Sequence, residues 1–431
     1  MNVSAGVEGA SAKKSGADAA YRMVTRSADL VEIAARARAA GRFALDTEFV
    51  MEDVYEPELC LVQMALPDGM FLIDALTKVD LAPLWDLVTD PAVETVVHAG
   101  QEDLAICAAA AGRPPRKVYD VQVAAGLVGP IYPISLSKLT QQVLHVRMHK
   151  SQTLTDWRKR PLTEDQLRYA AEDVAHLLPI RDKLHARLTK LDRVSWAEEE
   201  FAVFEQMPLY ARPPEDRLRR VKGTGSLSGS ELRAALDLMA WREELAGRLN
   251  RPARAVLKDH LLVEIARHGW TRMEQIRSLR GLNLRKDHLR EMCEVLEKSA
   301  KQPPAPRTGH RSVRSEHPLD GVLISLLTAV LRSEAARLDV AYSLLATKQA
   351  IQGVVEPFVD GGLDKLAESP LLMRGWRGEA VGRTLRKILR GASAIQVNPS
   401  GQRAPLRIRR LASSRPGNRP SAERETSDDG R

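Results

Sequence analysis

The chain has 431 residues, a formal net charge of +8 and a pI of about 9.4. Its three cysteines, Cys60, Cys107 and Cys293, lack the spacing of a zinc site or of a disulfide framework, which excludes a disulfide-stabilised secreted fold and favours a reducing compartment. No apolar run approaches the roughly 18 to 20 residues of a membrane span, and the N-terminal residues lack the hydrophobic segment of a signal peptide. We therefore expect a cytoplasmic protein with no membrane partner.

Changes in composition divide the chain into folded blocks and polar joints. Segments rich in Pro, Gly, Ser and Arg without apolar periodicity predict linkers, and a terminal segment almost without large apolar residues predicts disorder. The predicted organisation is a disordered leader (1–22), a first folded block (23–211), a linker (212–229), a second folded block (230–300), a linker (301–315), a third folded block (316–396) and a disordered basic tail (397–431).

The first folded block alternates strand-like and helix-like segments. Apolar runs bounded by polar turns predict strands, and they are "RFALDTEFV", "LCLVQMAL", "GMFLIDAL" and "ETVVHAG". Helix-like stretches lie between and after them, ending with the long "TEDQLRYAAEDVAHLLPIRDKLHARL". This pattern predicts an α/β fold with a mixed sheet covered by helices. The second and third folded blocks are predicted to be wholly helical.

Two carboxylates interrupt the first of these strands. Asp46 and Glu48 are two residues apart, so strand alternation points both side chains to the same face. Two anions held this close favour a bound cation, because buried like charges resist joint ionisation. Asp103 lies just after the strand "ETVVHAG", where a following helix begins. An acid at that position also stabilises a helix N-terminus electrostatically, so the sequence alone leaves both interpretations open.

The stretch "RPLTEDQLRYAAEDVAHLL" is predicted to be a well-capped helix. Thr163 followed three residues later by Gln166 forms a capping box. Tyr169 and Asp173 are four residues apart and so share one helix face, with small alanines beside them. This spacing can place a tyrosine hydroxyl next to a carboxylate that faces the sheet. It also fits a half-buried aromatic beside a surface acid, and spacing alone does not choose between these interpretations.

The two helical blocks resemble each other. "AGRLNRPARAVLKDHLL" (246–262) aligns with "AARLDVAYSLLATKQAI" (335–351), and a basic helix follows each of them. This similarity predicts an internal repeat of a small helical module. Two unrelated bundles with similar amphipathic patterns are the alternative.

Positive charge is concentrated in three segments. Arg and Lys cluster in residues 156–161, 212–225 and 402–420. A basic protein with clustered cations favours a polyanionic partner such as nucleic acid. Solvated loops and a solvated tail explain the same clusters without any partner.

Three motifs in order carry a family resemblance. "LDTEF", "HAGQEDL" and "TDWRKRPLTEDQLRYAAEDV" resemble the ribonuclease D family, in the tyrosine-containing branch of the DEDD superfamily of 3′-to-5′ exonucleases. The resemblance implies that Asp46, Glu48, Asp103 and Asp173 bind two divalent metal ions. Mg²⁺ is the expected metal, with Mn²⁺ as a substitute, and Tyr169 is expected to orient the attacking water. The helical blocks are similar to HRDC domains, which implies two such domains.

The resemblance also indicates the substrate. It implies a ribonuclease H-like exonuclease domain that hydrolyses RNA from its 3′ end and releases 5′-mononucleotides, in the processing of tRNA precursors and other structured RNA. Lys150, Arg158, Lys159 and Arg160 become candidate phosphate contacts, although a solvated basic loop explains them equally well. We expect a monomer. The alternatives are a DNA 3′-to-5′ exonuclease, which would use the same acids, and a non-catalytic nucleic-acid-binding protein.

Overall fold

The structure, a computed structural model, describes residues 20–149, 155–210, 213–306, 317–367, 370–401 and 403–411. The chain divides into two compact units, Met1–Glu316 and His317–Arg431. Within the described ranges, no helix combines the length and apolarity that crossing a membrane requires.

A six-stranded mixed sheet forms the centre of the first unit. Its strands are β1 (Tyr21–Val24), β2 (Arg42–Val50), β3 (Glu58–Leu66), β4 (Gly69–Asp74), β5 (Glu94–Val97) and β6 (Val118–Asp120). They lie in the order β1-β4-β3-β2-β5-β6. The meander β2-β3-β4 is antiparallel, whereas β1, β5 and β6 pair in parallel with their neighbours. The predicted mixed sheet is confirmed, and β1 begins two residues inside the segment predicted to be a disordered leader.

Helices flank this sheet. They are α1 (Ser27–Ala40), α2 (Ala82–Val88), α3 (Gln101–Ala111), α4 (Val121–Leu127), α5 (Leu136–Leu144), α6 (Glu164–Ala175), α7 (Leu177–Lys190) and α8 (Val194–Phe201). Helices α6 and α7 divide what the sequence presented as one long helical stretch. Pro179 explains the division, because it has no N–H to donate to the carbonyl of Ala175 and its ring crowds that carbonyl. Helix α6 packs across β2, β3 and β4.

A helical block follows within the same unit. It comprises α9 (Pro214–Leu218), α10 (Gly229–Leu249), α11 (Ala253–Val256), α12 (Asp259–His268), α13 (Met273–Arg277) and α14 (Lys286–Ala300). The prediction that 212–229 is a linker is wrong for its described part, because Leu218, Val221 and Leu227 are buried in the core of this block. In the second predicted linker (301–315), Ala305 is buried in the same core, and residues 307–315 lie outside the described ranges.

The loop between β2 and β3 contacts this helical block. The Tyr55 hydroxyl is 3.1 Å from Oε2 of Glu243, and the Tyr55 backbone N–H donates to Oδ1 of Asn250 at 3.1 Å. The Tyr55 ring also lies against Gly247, where an added Cβ would be 3.5 Å from it. Tyr55 of the sheet domain therefore packs against the C-terminal part of α10.

The second unit contains α15 (Pro318–Leu338), α16 (Tyr342–Leu345), α17 (Lys348–Gly361), α18 (Gly375–Arg377), a π-helix (Gly378–Gly382) and α19 (Arg383–Leu389). The start of this unit repeats a feature of the helical block. Helices α10 and α15 each have 21 residues, end in a left-handed residue (Asn250 with φ 43°, Asp339 with φ 53°) and are followed by a four-residue helix. Asn and Asp tolerate this conformation better than most residues. The matching ends support the predicted internal repeat.

A β-hairpin closes the described part of the second unit. It pairs β7 (Ser393–Val397) with β8 (Leu406–Arg410). The predictions of a wholly helical third block and of a disordered tail from residue 397 are therefore wrong at this point. The reason is a short alternating apolar pattern, since Ile395 pairs with Ile408 and Val397 with Leu406. The Leu406 N–H also donates to the Ser333 hydroxyl of α15 at 3.1 Å. Residues 412–431 lie outside the described ranges.

Candidate active site

Helix α6 begins with the capping box that the sequence predicts. The Gln166 N–H donates to Oγ1 of Thr163 at 3.2 Å, and the Thr163 N–H donates to Oε1 of Gln166 at 2.8 Å. Two backbone donors at the helix start are satisfied reciprocally, which fixes where the helix begins. Ala170 and Ala171 are buried against the sheet, so their small side chains let α6 approach it closely. This packing places Tyr169 and Asp173 over the strand that carries Asp46.

Three carboxylates from two elements meet at this point. Asp46 and Glu48 of β2 and Asp173 of α6 each offer an oxygen, and these oxygens lie within 4.8 Å of one another. All three residues are only partly buried, so an ion can reach them. Strand alternation correctly predicts that Asp46 and Glu48 share a face, and helix packing brings the third acid from more than 120 residues along the chain.

Asp103 lies beside this group but does not belong to it. Its carboxylate accepts a hydrogen bond from the hydroxyl of Thr47, and both residues are nearly inaccessible to solvent. Asp103 is close enough that its charge contributes to raising the pKa of Asp46. Strand alternation predicts only that Thr47 points away from the face of Asp46 and Glu48. The structure assigns Thr47 the further task of holding the fourth acid in place.

The electrostatics of the group call for a cation. Burial, followed by the charges of Asp103 and Asp173, raises the pKa of Asp46 well above its usual range. Burial and the same two neighbours raise the pKa of Glu48 to about 8. Full ionisation of this cluster requires compensating positive charge. The donor set consists of carboxylate oxygens, which hard divalent cations prefer, so these residues fit divalent metal ions.

Tyr169 contributes a hydroxyl beside these acids. It forms a side-chain hydrogen bond with Asp173, as their spacing on one helix face allows. Burial raises the pKa of Tyr169, and the charges of the surrounding acids raise it further, that of Asp173 most. The phenol therefore stays protonated near neutral pH and donates to the Asp173 carboxylate. Burial is also the main reason that the pKa of Asp173 rises to about 7.

Asp46 and Asp173 line a cleft of about 650 Å³. Its lining residues are Asp46, His98, Ser135, Leu136, Ser137, Met148, His149, Tyr169, Glu172 and Asp173. One wall is braced by hydrogen bonds to the Ile134 carbonyl from Nε2 of His98 at 2.9 Å and from Nε2 of Gln122 at 3.0 Å. A cleft of this volume has room for a nucleotide beside the acids.

The pair His149 and Glu172 in this cleft is a feature that the sequence did not indicate. The His149 backbone N–H donates to Oε2 of Glu172 at 3.0 Å, and Nδ1 of its ring contacts Oε1 of the same carboxylate. Glu172 adjoins Asp173 in the sequence, but a histidine in an irregular loop gives no periodicity from which this contact can be predicted.

Comparison with known proteins connects this geometry to a family. A 3′-5′ exonuclease family model matches residues 21–189, and an HRDC domain model matches residues 231–296. Ribonuclease D of Nitrobacter hamburgensis is 32% identical over 380 residues, which cover 87% of this chain and 97% of that protein. Ribonuclease D of Desulfotalea psychrophila is 37% identical over 256 residues, which cover 59% and 68% of the two chains. The chain belongs to the ribonuclease D family.

A solved structure agrees with this assignment. The crystal structure of Escherichia coli RNase D, described as an exoribonuclease involved in structured RNA processing, matches with a TM-score of 0.72 and 26% identity, covering 86% of this chain and 99% of that one. The chain is thus a 3′-to-5′ exoribonuclease, a hydrolase of phosphodiester bonds. The ribonuclease D resemblance predicted from three motifs is confirmed, as is an HRDC domain in the first helical block. The second HRDC-like domain stays a prediction.

The basic residues near the ribonuclease D site are engaged to different degrees. Arg160 donates to both carboxylate oxygens of Asp74 at 2.7 Å and to the Cys60 carbonyl at 2.9 Å. Its guanidinium therefore ties the loop before α6 to the sheet. Arg158 is paired with Asp53 and Glu58 at 2.8 and 2.6 Å.

Lys159 differs from both arginines. Its side chain is 80% exposed and reaches only to 4.0 Å from Asp156, so its ammonium is available to a substrate. The remaining candidate, Lys150, lies outside the described residues.

Proposed function

We propose that this exoribonuclease removes nucleotides one at a time from the 3′ ends of structured RNA, such as tRNA precursors, and releases 5′-mononucleotides with Mg²⁺ as its metal. The observation that carries the proposal is the convergence of Asp46, Glu48 and Asp173 within 4.8 Å of one another, beside a cleft that Asp46, Asp173 and Tyr169 line. We propose Mn²⁺ as a substitute metal, because it accepts the same oxygen ligands.

We assign the acids to metal binding. Asp46, Glu48 and Asp173 would hold two divalent cations, with Asp103 completing the set beside them. The bound cations supply the positive charge that the attacking and leaving oxygens need during in-line displacement at phosphorus. The hydroxyl of Thr47 keeps Asp103 oriented toward its neighbours, as partners behind metal ligands commonly do.

We assign Tyr169 to positioning of the attacking water. Its hydroxyl lies in the cleft, carries its proton near neutral pH and is anchored on Asp173. A fixed hydroxyl beside the acids can hydrogen-bond a water and hold it in line with the scissile phosphate, which lowers the entropy cost of attack. Lys159 is our candidate for a contact to the phosphate of the bound strand. We propose that Arg158 and Arg160 act mainly by holding the loop in shape.

A direct assay tests the proposal. Purified wild-type protein and the Asp46→Asn variant are incubated with a 3′-extended tRNA and Mg²⁺, and the product sizes are resolved. We expect stepwise shortening with release of 5′-mononucleotides from the wild type and a loss of rate of at least about a thousandfold in the variant, since charge stabilisation is commonly the largest catalytic contribution. Asp68→Asn is the matched control, because this turn carboxylate is 62% exposed and lies outside the three motifs.

Two outcomes of this assay would contradict the proposal. Undiminished turnover by Asp46→Asn would remove the assigned site. A DNA strand of matched sequence is incubated in parallel with the RNA. Faster hydrolysis of the DNA than of the RNA would favour a deoxyribonuclease instead. The substrate pair also separates failure of the site from failure of the substrate assignment.

We further propose that the helical block holds the body of the RNA. A cleft of about 490 Å³ on this block is lined by Arg220, Lys222, Arg254, Lys258, Asp259 and His260. Arg254 is paired with Asp259 at 3.1 Å. Arg220, Lys222 and Lys258 are exposed and have no carboxylate partner within the described ranges. Exposed cations around a concavity can neutralise the phosphates of an RNA backbone.

We place the enzyme in the cytoplasm as a monomer. Its three cysteines are free and buried, which suits a reducing compartment. Light scattering on the purified protein is expected to give a mass near 47.7 kDa. A mass near twice that value would overturn the monomer.

A further inference from the structure

Gln63 is a buried polar side chain with no partner. It lies on β3, is completely inaccessible to solvent, and neither Oε1 nor Nε2 finds a hydrogen-bond partner in the part of the chain that the structure describes. A buried polar group without a hydrogen-bond partner destabilises the folded protein. An apolar side chain of the same size would avoid that cost, so the glutamine needs a reason to be there.

The sheet register places Gln63 next to the proposed metal site. Asp46 of β2 and Gln63 of β3 are directly paired in the antiparallel ladder. Paired residues point to the same face with their Cβ atoms about 4.5 to 5.5 Å apart. The Gln63 carboxamide therefore lies beside the Asp46 carboxylate, on the face that α6 covers.

The ladder neighbour on the other side of Gln63 has no polar side-chain atom. On its far side the register pairs it with Leu72 of β4. Leu72 and Ala170 of α6 belong to one apolar cluster on this face. The carboxylate of Asp46 is thus the polar group that the ladder brings nearest. The terminal torsion of glutamine is broad and roughly two-fold, so its amide can turn toward that carboxylate without any shift of the backbone.

We propose that Gln63 is a positioning residue for Asp46. The Gln63 amide N–H₂ donates to one carboxylate oxygen of Asp46 and so directs the other oxygen toward the metal. This proposal rests on the assignment of Asp46 as a metal ligand. Carboxylates that bind metals are held by hydrogen bonds from behind, and loss of such a partner commonly weakens metal binding by about 10 to 100-fold. Glutamine suits the task because its amide carries two donors and no charge.

Metal binding without RNA tests the proposal. The Gln63→Met variant keeps the length of the side chain and removes both polar atoms. Mn²⁺ is titrated into the wild type and the variant by calorimetry, and thermal unfolding of each is followed in chelator. We expect the Mn²⁺ dissociation constant to rise at least about tenfold, while the unfolding temperature in chelator changes little, because methionine fills the same buried volume among apolar neighbours. Activity assays should then show a higher Mn²⁺ requirement for half-maximal rate.

Controls separate this role from general packing and from failure of the proposed site. Leu72→Met changes the other neighbour of Gln63 on the same face and should leave Mn²⁺ binding unchanged. Asp46→Asn should abolish tight binding. If Asp46→Asn loses the metal while Gln63→Met binds it like the wild type, the role of Gln63 is overturned and the site stands. If Asp46→Asn binds Mn²⁺ normally, the site assignment itself fails. Should Gln63→Met not fold, Gln63→Leu goes through the same titration with the same criteria.

Discussion

At the scale of single residues, the site brings together carboxylates whose negative charges repel one another in the absence of a metal. Asp46, Glu48 and Asp173 converge within 4.8 Å, and burial with mutual repulsion raises the pKa of each. Binding of a divalent cation must then be accompanied by proton release, because the ligands bind in their ionised form. Metal affinity and stability of the metal-free protein should therefore both depend on pH, in opposite directions.

The sign of the stability change follows from the raised values. In the unfolded chain Glu48 and Asp173 lose their protons near pH 4, whereas in the folded, metal-free protein their pKa values are about 8 and about 7. The folded state holds more protons between these limits, so the contribution of these two acids to stability is fully present below about pH 4 and is lost as the pH rises through 7 and 8. Mg²⁺ should restore more stability at pH 8.5 than at pH 6.

Thermal unfolding in chelator from pH 5 to pH 9 checks this prediction. The Asp46→Asn variant removes one of the interacting acids, so its unfolding temperature should fall less over this range than that of the wild type. Asp68→Asn should follow the wild type. Equal pH dependence of Asp46→Asn and wild type would show that the acid cluster is not the cause. Comparing variants within one pH series cancels the contribution of the other titrating groups.

At the scale of elements, the site depends on one well-capped helix crossing the sheet. Helix α6 carries Tyr169 and Asp173, and its start is fixed by Thr163. Thr163→Ala removes one of the two reciprocal bonds of the capping box and should cost about 1 kcal/mol of stability. In a domain of about 150 to 250 residues, such as the sheet domain, that corresponds to a fall of about 2 to 4 °C in the unfolding temperature.

Two measurements check the capping prediction. Calorimetric unfolding should show the fall for Thr163→Ala but not for Thr189→Ala, a threonine whose hydroxyl donates to the His185 carbonyl inside α7 at 2.9 Å. Turnover of Thr163→Ala at 25 °C should drop by less than about tenfold, since the packing of α6 on the sheet still holds its acid in place. A loss as large as that of Asp46→Asn would mean that Thr163 contributes to the chemistry directly.

The same scale shows what the sequence could and could not predict. Periodicity was sufficient to place Asp46 with Glu48 on one strand face and Tyr169 with Asp173 on one helix face, because strand alternation and the helical turn are local. It did not show that either pair belongs to a metal site. The contact of Thr47 with Asp103 joins residues 56 positions apart, and local patterns carry no information about it. The unpartnered state of Gln63 likewise depends on the register of two strands.

Composition misled at two other points. The segment 212–229 is rich in Pro, Gly and Arg, and these residues concealed the spaced core positions Leu218, Val221 and Leu227. In the tail, the few apolar residues of β8 alternate over too short a run to be distinguished from a polar segment. Short elements that are stabilised by tertiary contacts are the hardest to predict from composition.

At the scale of the whole molecule, we assign the chemistry to the sheet domain and propose that the helical block supplies positive charge for a large substrate. Within the first unit the two are joined at Tyr55, which bonds to residues of α10 and its end. Lys222 and Lys258 line the basic cleft, which is the cleft of about 490 Å³ on the helical block, and they do not line the catalytic cleft. Substitution of these lysines should therefore separate binding of the RNA body from hydrolysis of its end.

The paired substitution Lys222→Ala and Lys258→Ala tests this separation. Each lost phosphate contact reduces the slope of log affinity against log salt concentration by about 0.7 to 0.9, so the double variant should bind a folded tRNA several-fold more weakly at low salt, with a slope smaller by about 1.5. Its kcat/KM on a short single-stranded RNA should stay within about twofold of the wild type, because such a substrate needs only the catalytic cleft.

Lys298→Ala with Lys301→Ala removes the same charge from exposed positions of the same block and should leave the slope unchanged. An equal change of slope in both double variants would show that net charge matters and the basic cleft does not, and an equal loss of activity on both substrates would place these lysines in the path of the RNA end.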